Sequence, residues 1–173
     1  MAMILASCGQ IRFRYTRPAD LDFVLESENH PDNAAFVSQW NRKQHQAAID
    51  NPDCLHLIIE WELEPAGYLI ISGLDNPSGS IELLRLVVTR KGEGIGRQTL
   101  QLVKKLAFSR WKAHRLWLDV RSNNPVAHRL YLSEGFVEEG RLRECVLHNG
   151  EYLSVTILSI LQTELPGSHS EAI

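Results

Sequence analysis

In the stretch Val88-Thr89-Arg90-Lys91-Gly92-Glu93-Gly94-Ile95-Gly96-Arg97-Gln98-Thr99, an apolar strand ends and three alternating glycines lead into a helix-forming sequence. Glycines allow a tight turn that brings several backbone N–H groups against one phosphate, and the dipole of the following helix adds about half a positive charge there. Basic side chains also surround the turn. The stretch therefore predicts a phosphate-binding turn, although ordinary turns and helix caps also use glycine.

Two other phosphate-binding motifs do not fit this stretch. A dinucleotide-binding fingerprint, G-x-G-x-x-G, meets Arg97 instead of its third glycine when counted from Gly92, and Thr99 when counted from Gly94. A Walker A loop requires a lysine followed by serine or threonine, and the stretch contains no such pair. The sequence thus disfavours a nicotinamide-dependent oxidoreductase and a Walker A nucleotide site.

The composition is that of one globular domain. The chain has 173 residues, of which 44% are apolar, enough for a sizeable core. We expect a domain over residues 1–165 and a polar tail at 166–173. The formal net charge of −3 gives no support for nucleic-acid binding, which usually shows as a basic domain or stripe. No apolar run reaches the ~18 residues of a membrane span, so we expect neither nucleic acid nor a membrane as partner.

Cysteine usage and the N-terminus favour a cytoplasmic protein. Cys8, Cys54 and Cys145 are odd in number and widely spaced, which indicates neither a disulfide framework nor a zinc site. Residues 5–8, Leu-Ala-Ser-Cys, resemble a lipoprotein cleavage box, but too few apolar residues and no positive region precede them. The seven histidines lack metal-binding spacing and are expected at the surface, so no metal is expected.

Hydrophobic periodicity predicts a mixed α/β (α+β) domain without repeats. Strands are expected at residues 11–15, 55–61, 66–72, 81–88, 116–121, 136–147 and 152–161. Helices are expected at 18–28 and 31–50, after the glycine turn, and from Pro125 to the region of Gly135. The pair Asn149-Gly150 is a strong signal for a hairpin between the last two strands.

A second motif lies beyond the glycine turn. Residues 124–136, Asn-Pro-Val-Ala-His-Arg-Leu-Tyr-Leu-Ser-Glu-Gly-Phe, resemble the N-x-x-A-x-x-x-Y-x-x-x-G-F segment of the GCN5-related N-acetyltransferase (GNAT) superfamily. The turn itself resembles that family's acetyl-CoA pyrophosphate loop, R/Q-x-x-G-x-G/A, with Lys91 at the first position. Residues 139–144 and 149–152 are similar to the subgroup that includes ribosomal-protein N-terminal acetyltransferases and spermidine acetyltransferases. The resemblance covers about residues 80–160.

The resemblance implies a single GNAT-like domain. Its mixed central sheet would have about six to seven strands, flanked by helices and splayed between the two central parallel strands. The backbone of the strand before the turn would pair with the pantetheine arm, and a main-chain N–H there would bond the thioester oxygen, worth ~3 kcal/mol in comparable oxyanion holes. Acetyl-CoA is then the cosubstrate, and the residues expected to bind it are Leu86, Val87, Val88, Lys91, Gly92, Glu93, Gly94, Ile95, Gly96, Arg97, Gln98, Thr99, Asn124 and Tyr131.

Acetyl transfer to an amine requires a neutral nucleophile. An α-amino group with a pKa near 8 is about 10% neutral at pH 7, whereas a lysine-like amine is only about 0.04% neutral. Glu82 and Asp119, on the two central strands, are the carboxylates best placed to accept the proton. Asp119 stands where the ribosomal enzymes that the chain resembles carry a catalytic glutamate. Glu82 could equally be a solvated strand residue, and Asp119 could be an ion-pair partner of Arg115 or Arg121.

The resemblance implies that the Tyr131 phenol protonates the departing CoA thiolate and that the Asn124 side chain contacts the cofactor. A phenol with a pKa near 10 is a weak but adequate donor to a thiolate whose conjugate acid titrates near 8.5. Both residues have a structural alternative. Tyr131 lies in an apolar helical stripe and could belong to the core, and Asn124 before Pro125 fits a helix N-cap.

We therefore expect an N-acetyltransferase that passes acetyl directly from acetyl-CoA to a primary amine in a ternary complex. The acceptor would be a peptide N-terminus or a small amine. The alternative among enzymes is a different acyl donor, or a small-molecule acceptor such as a polyamine or an amino acid. The alternative from another class is a regulatory domain that binds acyl-CoA without turnover. A homodimer could form through the long last strands.

Overall fold

A computed structural model describes residues 3–165, and the tail expected at 166–173 lies outside this range. The strands are β1 Ile4–Cys8, β2 Ile11–Tyr15, β3 Cys54–Trp61, β4 Glu64–Ser72, β5 Ser80–Val88, β6 Arg115–Arg121, β7 Val137–His148 and β8 Glu151–Leu161. The helices are α1 Leu21–Asn29, α2 Pro31–Ala34, α3 Arg42–Asp50, α4 Ile95–Ser109 and α5 Pro125–Ser133, with 3₁₀ turns at Pro18–Asp20 and Gln162–Glu164.

The eight strands form one mixed sheet in the order β1-β2-β3-β4-β5-β6-β8-β7. All neighbours are antiparallel except β5 and β6, which are parallel, so the expected α/β class is confirmed. The sheet has one strand more than expected, because β1 folds back on β2 through a turn at Gly9. This strand is short and buries Leu5 alone, which gives little periodicity to detect.

The two parallel strands separate after three residues. Residues 80–82 of β5 pair with residues 115–117 of β6, whereas Leu86, Val87 and Val88 pair only with β4. Strand β6 continues along β8 to its end at Arg121. The diverging ends confirm the expected splay. They leave the β6-facing edge at the end of β5 without a strand partner among residues 3–165.

A β-bulge precedes the splay. Ile70 pairs with Arg85 but the next residue, Ile71, pairs with Leu83, so Leu84 is an extra residue in β5. The bulge reverses the alternation of faces. Arg85 therefore does not follow Ile81 and Leu83 into the core beside α4, but lies on the opposite face, against α1.

The helix expected over 31–50 is interrupted. Between α2 and α3 the chain leaves helical geometry at residues 35–41, where the Trp40 amide donates to the buried Glu28 carboxylate at 2.9 Å. Helix α3 then restarts with its own cap, since Asn41 and Gln44 form a reciprocal capping box. A long-range contact to a buried charge thus overrides the local helical spacing.

Apolar cores lie on both faces of the sheet. The larger core packs α4 and α5 on one face, and the smaller core packs α1 on the other around residues such as Val24, Ile58 and Tyr68. His45 and His56 are also buried on this second face, so the expectation of surface histidines is wrong for these two. Among the helices of residues 3–165, none is long and apolar enough to cross a membrane.

Candidate active site

The splay opens into a cleft of about 1170 Å³. One wall is the free end of β5, and the opposite wall is the end of β6 with Asp119 and Arg121. The glycine turn, the first turn of α4 and the start of α5 close one side, while α2 and the loop after it close the other. The cleft therefore brings together both sequence motifs and the N-terminal helical region.

The glycine turn requires glycine for its backbone angles. Gly92 and Gly94 have φ of 79° and 77°, in the left-handed region, and a Cβ at either would meet nothing within 4 Å. Gly94 is the N-cap of α4 and offers no side-chain acceptor to the first-turn amides of residues 95–97. An uncapped helix N-terminus on a cleft wall fits an anion such as a diphosphate.

Two of the three cations around this turn have carboxylate partners. Arg90 pairs with Glu93, and Arg97 pairs with Glu134. Lys91 has no such partner among residues 3–165, and its Nζ donates to the Asn33 side-chain oxygen at 2.5 Å. Burial lowers the pKa of Lys91, with Asp32 opposing this effect. Lys91 is therefore the cation at the turn that is least neutralised by the protein.

Tyr131 lies on α5 with its ring against Phe136 and is 8% exposed, on the cleft wall. Its hydroxyl makes no hydrogen bond within the described part of the chain. Burial, with a smaller contribution from the Asp119 charge, raises the pKa of Tyr131 to about 12. The phenol is thus protonated at neutral pH and available to a group in the cleft.

Asn124 begins the same helix. Its side-chain oxygen accepts a hydrogen bond from the Ala127 amide at 3.1 Å, with Pro125 at the first helical position, so the N-cap alternative is confirmed. Asn124 also lines the cleft. Capping leaves the side-chain amide N–H groups free to contact a ligand.

The two candidate bases differ in position. Asp119 opens into the cleft, where withdrawal from bulk water raises its pKa and the charges of Arg121 and Arg85 oppose this rise. Glu82 lies at the closed end, where β5 and β6 still pair, and accepts a hydrogen bond from the Ser72 hydroxyl at 3.1 Å. Burial raises the pKa of Glu82, and the Asp119 charge raises it further. The carboxylates therefore interact, but Asp119 is the one that faces the cleft.

The structure places most of the expected cosubstrate residues on the cleft wall, but not all of them. Glu93, Gln98 and Thr99 are not among the lining residues, and neither is the candidate base Glu82. Glu93 faces Arg90, and Thr99 is fully buried in the core with its hydroxyl unpaired. The remaining expected residues line the cleft: Leu86, Val87, Val88, Lys91, Gly92, Gly94, Ile95, Gly96, Arg97, Asn124, Tyr131 and Asp119.

Sequence reasoning missed part of the opposite wall. Arg85 pairs with buried Glu28, donates to the Ser38 carbonyl at 2.5 Å and lies 4.2 Å from the Trp40 ring centroid. Arg121 donates to the Ala35 carbonyl at 3.2 Å and to the Ser38 hydroxyl at 2.8 Å. Two features of the sequence could have indicated this wall: Arg85 is a charged residue inside an apolar strand, and residues 119 and 121 share one face of their strand. The loop at 35–41 carries no motif.

The splayed parallel strands, the glycine turn before α4 and the tyrosine on α5 are the features from which the sequence predicts an acetyltransferase. Comparison with known families agrees, because the model of the acetyltransferase (GNAT) family matches residues 21–136. The chain belongs to this family, as its two motifs predicted.

The similar proteins are N-acetyltransferases. Spermidine N(1)-acetyltransferase of Vibrio cholerae is 25% identical over 169 residues, covering 90% of this chain and 95% of that protein. A Bacillus subtilis protein described as a putative ribosomal protein bS18-alanine N-acetyltransferase is 27% identical, covering 80% and 88%. The solved structure of the Vibrio cholerae spermidine enzyme with CoA and spermine superposes with a TM-score of 0.80 at 22% identity, covering 90% of this chain and 97% of that one. The fold and the N-acetyltransferase class are therefore established.

No three His, Cys, Asp or Glu side chains within residues 3–165 are grouped as a metal site requires. Independence from metal and the cytoplasmic location stay predictions.

Proposed function

We propose that the chain binds acetyl-CoA in the splay and transfers its acetyl group directly to a primary amine in a ternary complex. The observation that carries this proposal is the convergence, on one cleft, of the uncapped α4 amides, the unpaired edge of β5 and the Tyr131 hydroxyl. The glycine turn and Lys91 would hold the diphosphate. The free N–H and C=O groups of residues 86–88 would hold the pantetheine arm.

Bound acetyl-CoA supplies an acetyl thioester, and two side chains of this protein would handle the protons. Asp119 accepts a proton from the incoming amine, directly or through water, so that the nitrogen attacks as a neutral nucleophile. Attack leaves the acetylated nitrogen with one proton in excess. As the C–S bond breaks, Tyr131 donates its phenolic proton to the departing sulfur and regains one from that nitrogen through water. Asp119 releases its proton to solvent, so that the products are the amide, CoA and one proton. The raised pKa of Tyr131 keeps the donor protonated throughout the working pH range. Burial, and to a smaller extent the Asp119 charge, raise the pKa of Glu82, so Glu82 is less available than Asp119 as a base.

Replacement of Tyr131 by phenylalanine tests the proton donor. We expect Tyr131→Phe to slow thiol release from acetyl-CoA by about 100-fold, the lower range for general acid catalysis. The thermal midpoint and CoA affinity should change little, because the hydroxyl has no hydrogen bond to lose in the described part of the protein. Thiol release is followed with a disulfide reagent and a panel of amines.

The matched control is Tyr152→Phe, since Tyr152 is a strongly exposed tyrosine on β8 away from the cleft. Loss of folding and CoA binding together in Tyr131→Phe would make Tyr131 a core residue instead. CoA binding by the wild type without thiol release from any amine would favour the alternative, a regulatory acyl-CoA-binding domain.

A homodimer is a further proposal for this chain. Strand β7 is at the edge of the sheet, and several of its apolar side chains are exposed, including Val137, Leu142 and Leu147. One structural neighbour, the Vibrio cholerae spermidine enzyme, is described as dodecameric, with a TM-score of 0.76 and 23% identity. An open edge with apolar side chains supports self-association.

A further inference from the structure

The two faces of the splay differ in chemistry. The glycine turn, α4 and Tyr131 lie on one face of the sheet, together with Leu118 and Val120 of β6. Asp119 and Arg121 alternate with these apolar residues and so project to the other face. The α2 segment and its following loop meet Arg121 there. If the proposed function holds, the diphosphate occupies the first face and the amine enters from the second.

Arg121 is a buried cation without an ion pair among residues 3–165, and the opposite charge that acts on it is that of Asp119. Arg121 is 8% exposed, lines the cleft and has no carboxylate within ion-pair distance in residues 3–165. Two of its five N–H groups donate to neutral oxygens, those of Ala35 and Ser38. The other buried arginines are paired: Arg14 with Asp20 and Glu60, and Arg85 with Glu28. Burying a charge without a direct ion pair is costly, and the two neutral acceptors leave N–H groups of Arg121 for an anionic ligand group in the cleft.

Asp119 and Arg121 form a site with two opposite charges. Residues two apart on one strand face are separated by about 7 Å along the strand. An α-amino acid carries its amine and carboxylate on the same carbon, and hydrogen bonds of about 3 Å at each end let it reach both side chains. We propose that the acceptor is an amine with a carboxylate a few bonds away, its amine at Asp119 and its carboxylate at Arg121.

A polyamine fits this end of the cleft poorly. A second ammonium group would lie near Arg121, where like charges repel. Phe36, Val37, Val146 and Val155 add apolar surface to the cleft, which suits an uncharged side chain. The acceptor class therefore differs from the spermidine and spermine named for the Vibrio cholerae relatives.

Thiol-release kinetics with matched acceptors test the inference. L-leucine and L-leucinamide share the amine and side chain, and only the acid carries the carboxylate. Aspartyl-alaninamide and asparaginyl-alaninamide form the peptide arm, and spermidine is the polyamine. We expect the wild type to prefer the acid of one pair to its amide by at least about tenfold in kcat/KM, the discrimination that one charge-assisted hydrogen bond provides. The preferred pair identifies the source as free amino acid or acidic peptide N-terminus.

Variants then assign the preference to Arg121. In Arg121→Gln the KM for the preferred acid should rise about tenfold, while the KM for its amide stays within about twofold. Arg121→Lys keeps a positive charge and should therefore retain part of the preference for the acid that Arg121→Gln loses. Arg115→Gln is the control, since Arg115 lies on the same strand but pairs with Glu139 outside the cleft. Equal KM changes for acid and amide in Arg121→Gln would make Arg121 a structural support for the loop.

The possible failures are distinguishable. This inference is overturned if spermidine or the amides are used as well as the acids and if the ratio of kcat/KM for acid and amide is the same in wild type and Arg121→Gln. That result would leave the acetyltransferase proposal standing. No thiol release with any acceptor would contradict the proposed function itself.

Discussion

Gly94 and Gly150 are a matched pair at the scale of single residues. Their φ values are 77° and 82°, and a Cβ at either would meet nothing within 4 Å, so alanine adds strain but no clash at both. Alanine in this region costs about 1–2 kcal/mol. Gly94 caps α4 beside the cleft, whereas Gly150 is in the β7–β8 hairpin turn.

We expect Gly94→Ala to weaken CoA binding by about tenfold, because a relaxed turn moves the first-turn amides away from the diphosphate. Gly150→Ala should lose comparable stability but keep its CoA affinity. Isothermal titration calorimetry and thermal melts measure the two effects. Equal affinities in the two variants would mean that the turn does not hold the diphosphate.

The Asp119 carboxylate predicts a pH dependence. A base works only when deprotonated, so activity is present above its pKa and falls as the pH drops through it. Since the cleft raises the pKa of Asp119, this fall should begin at a higher pH than an ordinary aspartate gives. Asp119→Asn should lower kcat by about 100-fold. Any fall in kcat at low pH that remains in this variant should come from protonation of the acceptor amine.

The measurement is kcat against pH with one acceptor at saturation. On the alkaline side no loss is expected from Tyr131 below about pH 11, given its pKa of about 12. Superimposable acid limbs in wild type and Asp119→Asn would remove Asp119 from the proton transfer.

Helix α1 is tied to the sheet by a buried charge. Glu28 is fully buried and accepts hydrogen bonds from Arg85, Tyr68 and the Trp40 amide, with His45 Nε2 at 3.3 Å. Burial alone would raise its pKa, but the His45 and Tyr68 hydrogen bonds and the Arg85 charge hold it below the ordinary value. Burial lowers the pKa of His56, next to His45, to about 3, so His56 is neutral.

Glu28→Gln leaves the Arg85 guanidinium buried without its counter-charge. We expect the free energy of unfolding at pH 7 to fall by about 3–5 kcal/mol in urea denaturation. Because the native pKa is lowered, this stabilisation exists above the unfolded pKa and is lost as the pH falls through the native one. The difference in the free energy of unfolding between wild type and Glu28→Gln should therefore become smaller below about pH 4.

Asp22→Asn is the control on the same helix. Its ion pair with Arg42 is exposed and should contribute less than about 1 kcal/mol. A loss in Glu28→Gln no larger than this would show that the buried network does not anchor α1.

How far the sequence predicts each element depends on where its determinants lie. The turn at residues 92–96, the α5 cap at Asn124 and the hairpin at Asn149-Gly150 carry their signals locally, and all three form where expected. The break at residues 35–41 depends on Glu28 and Arg85, and the bulge at Leu84 depends on pairing with β4. Local hydrophobic periodicity carries no information about these long-range contacts, so it predicts neither the helix break nor the bulge.

The whole molecule separates two tasks across its sheet. Cosubstrate residues come from two motifs with fixed spacing, and for this reason the sequence could predict most of that wall. The acceptor wall is assembled from Ser38, Arg85, Asp119 and Arg121, which come from three distant segments. Their proximity results from tertiary folding and has no continuous pattern in the chain.

A crystal structure of the protein grown with CoA would show whether the cosubstrate binds in the splay. We expect diphosphate oxygens within hydrogen-bond distance of the residue 95–97 amides and Lys91, and the thiol next to the Tyr131 hydroxyl between β5 and β6. A diphosphate bound elsewhere, or a splay left empty at saturating CoA, would contradict binding of the cosubstrate there.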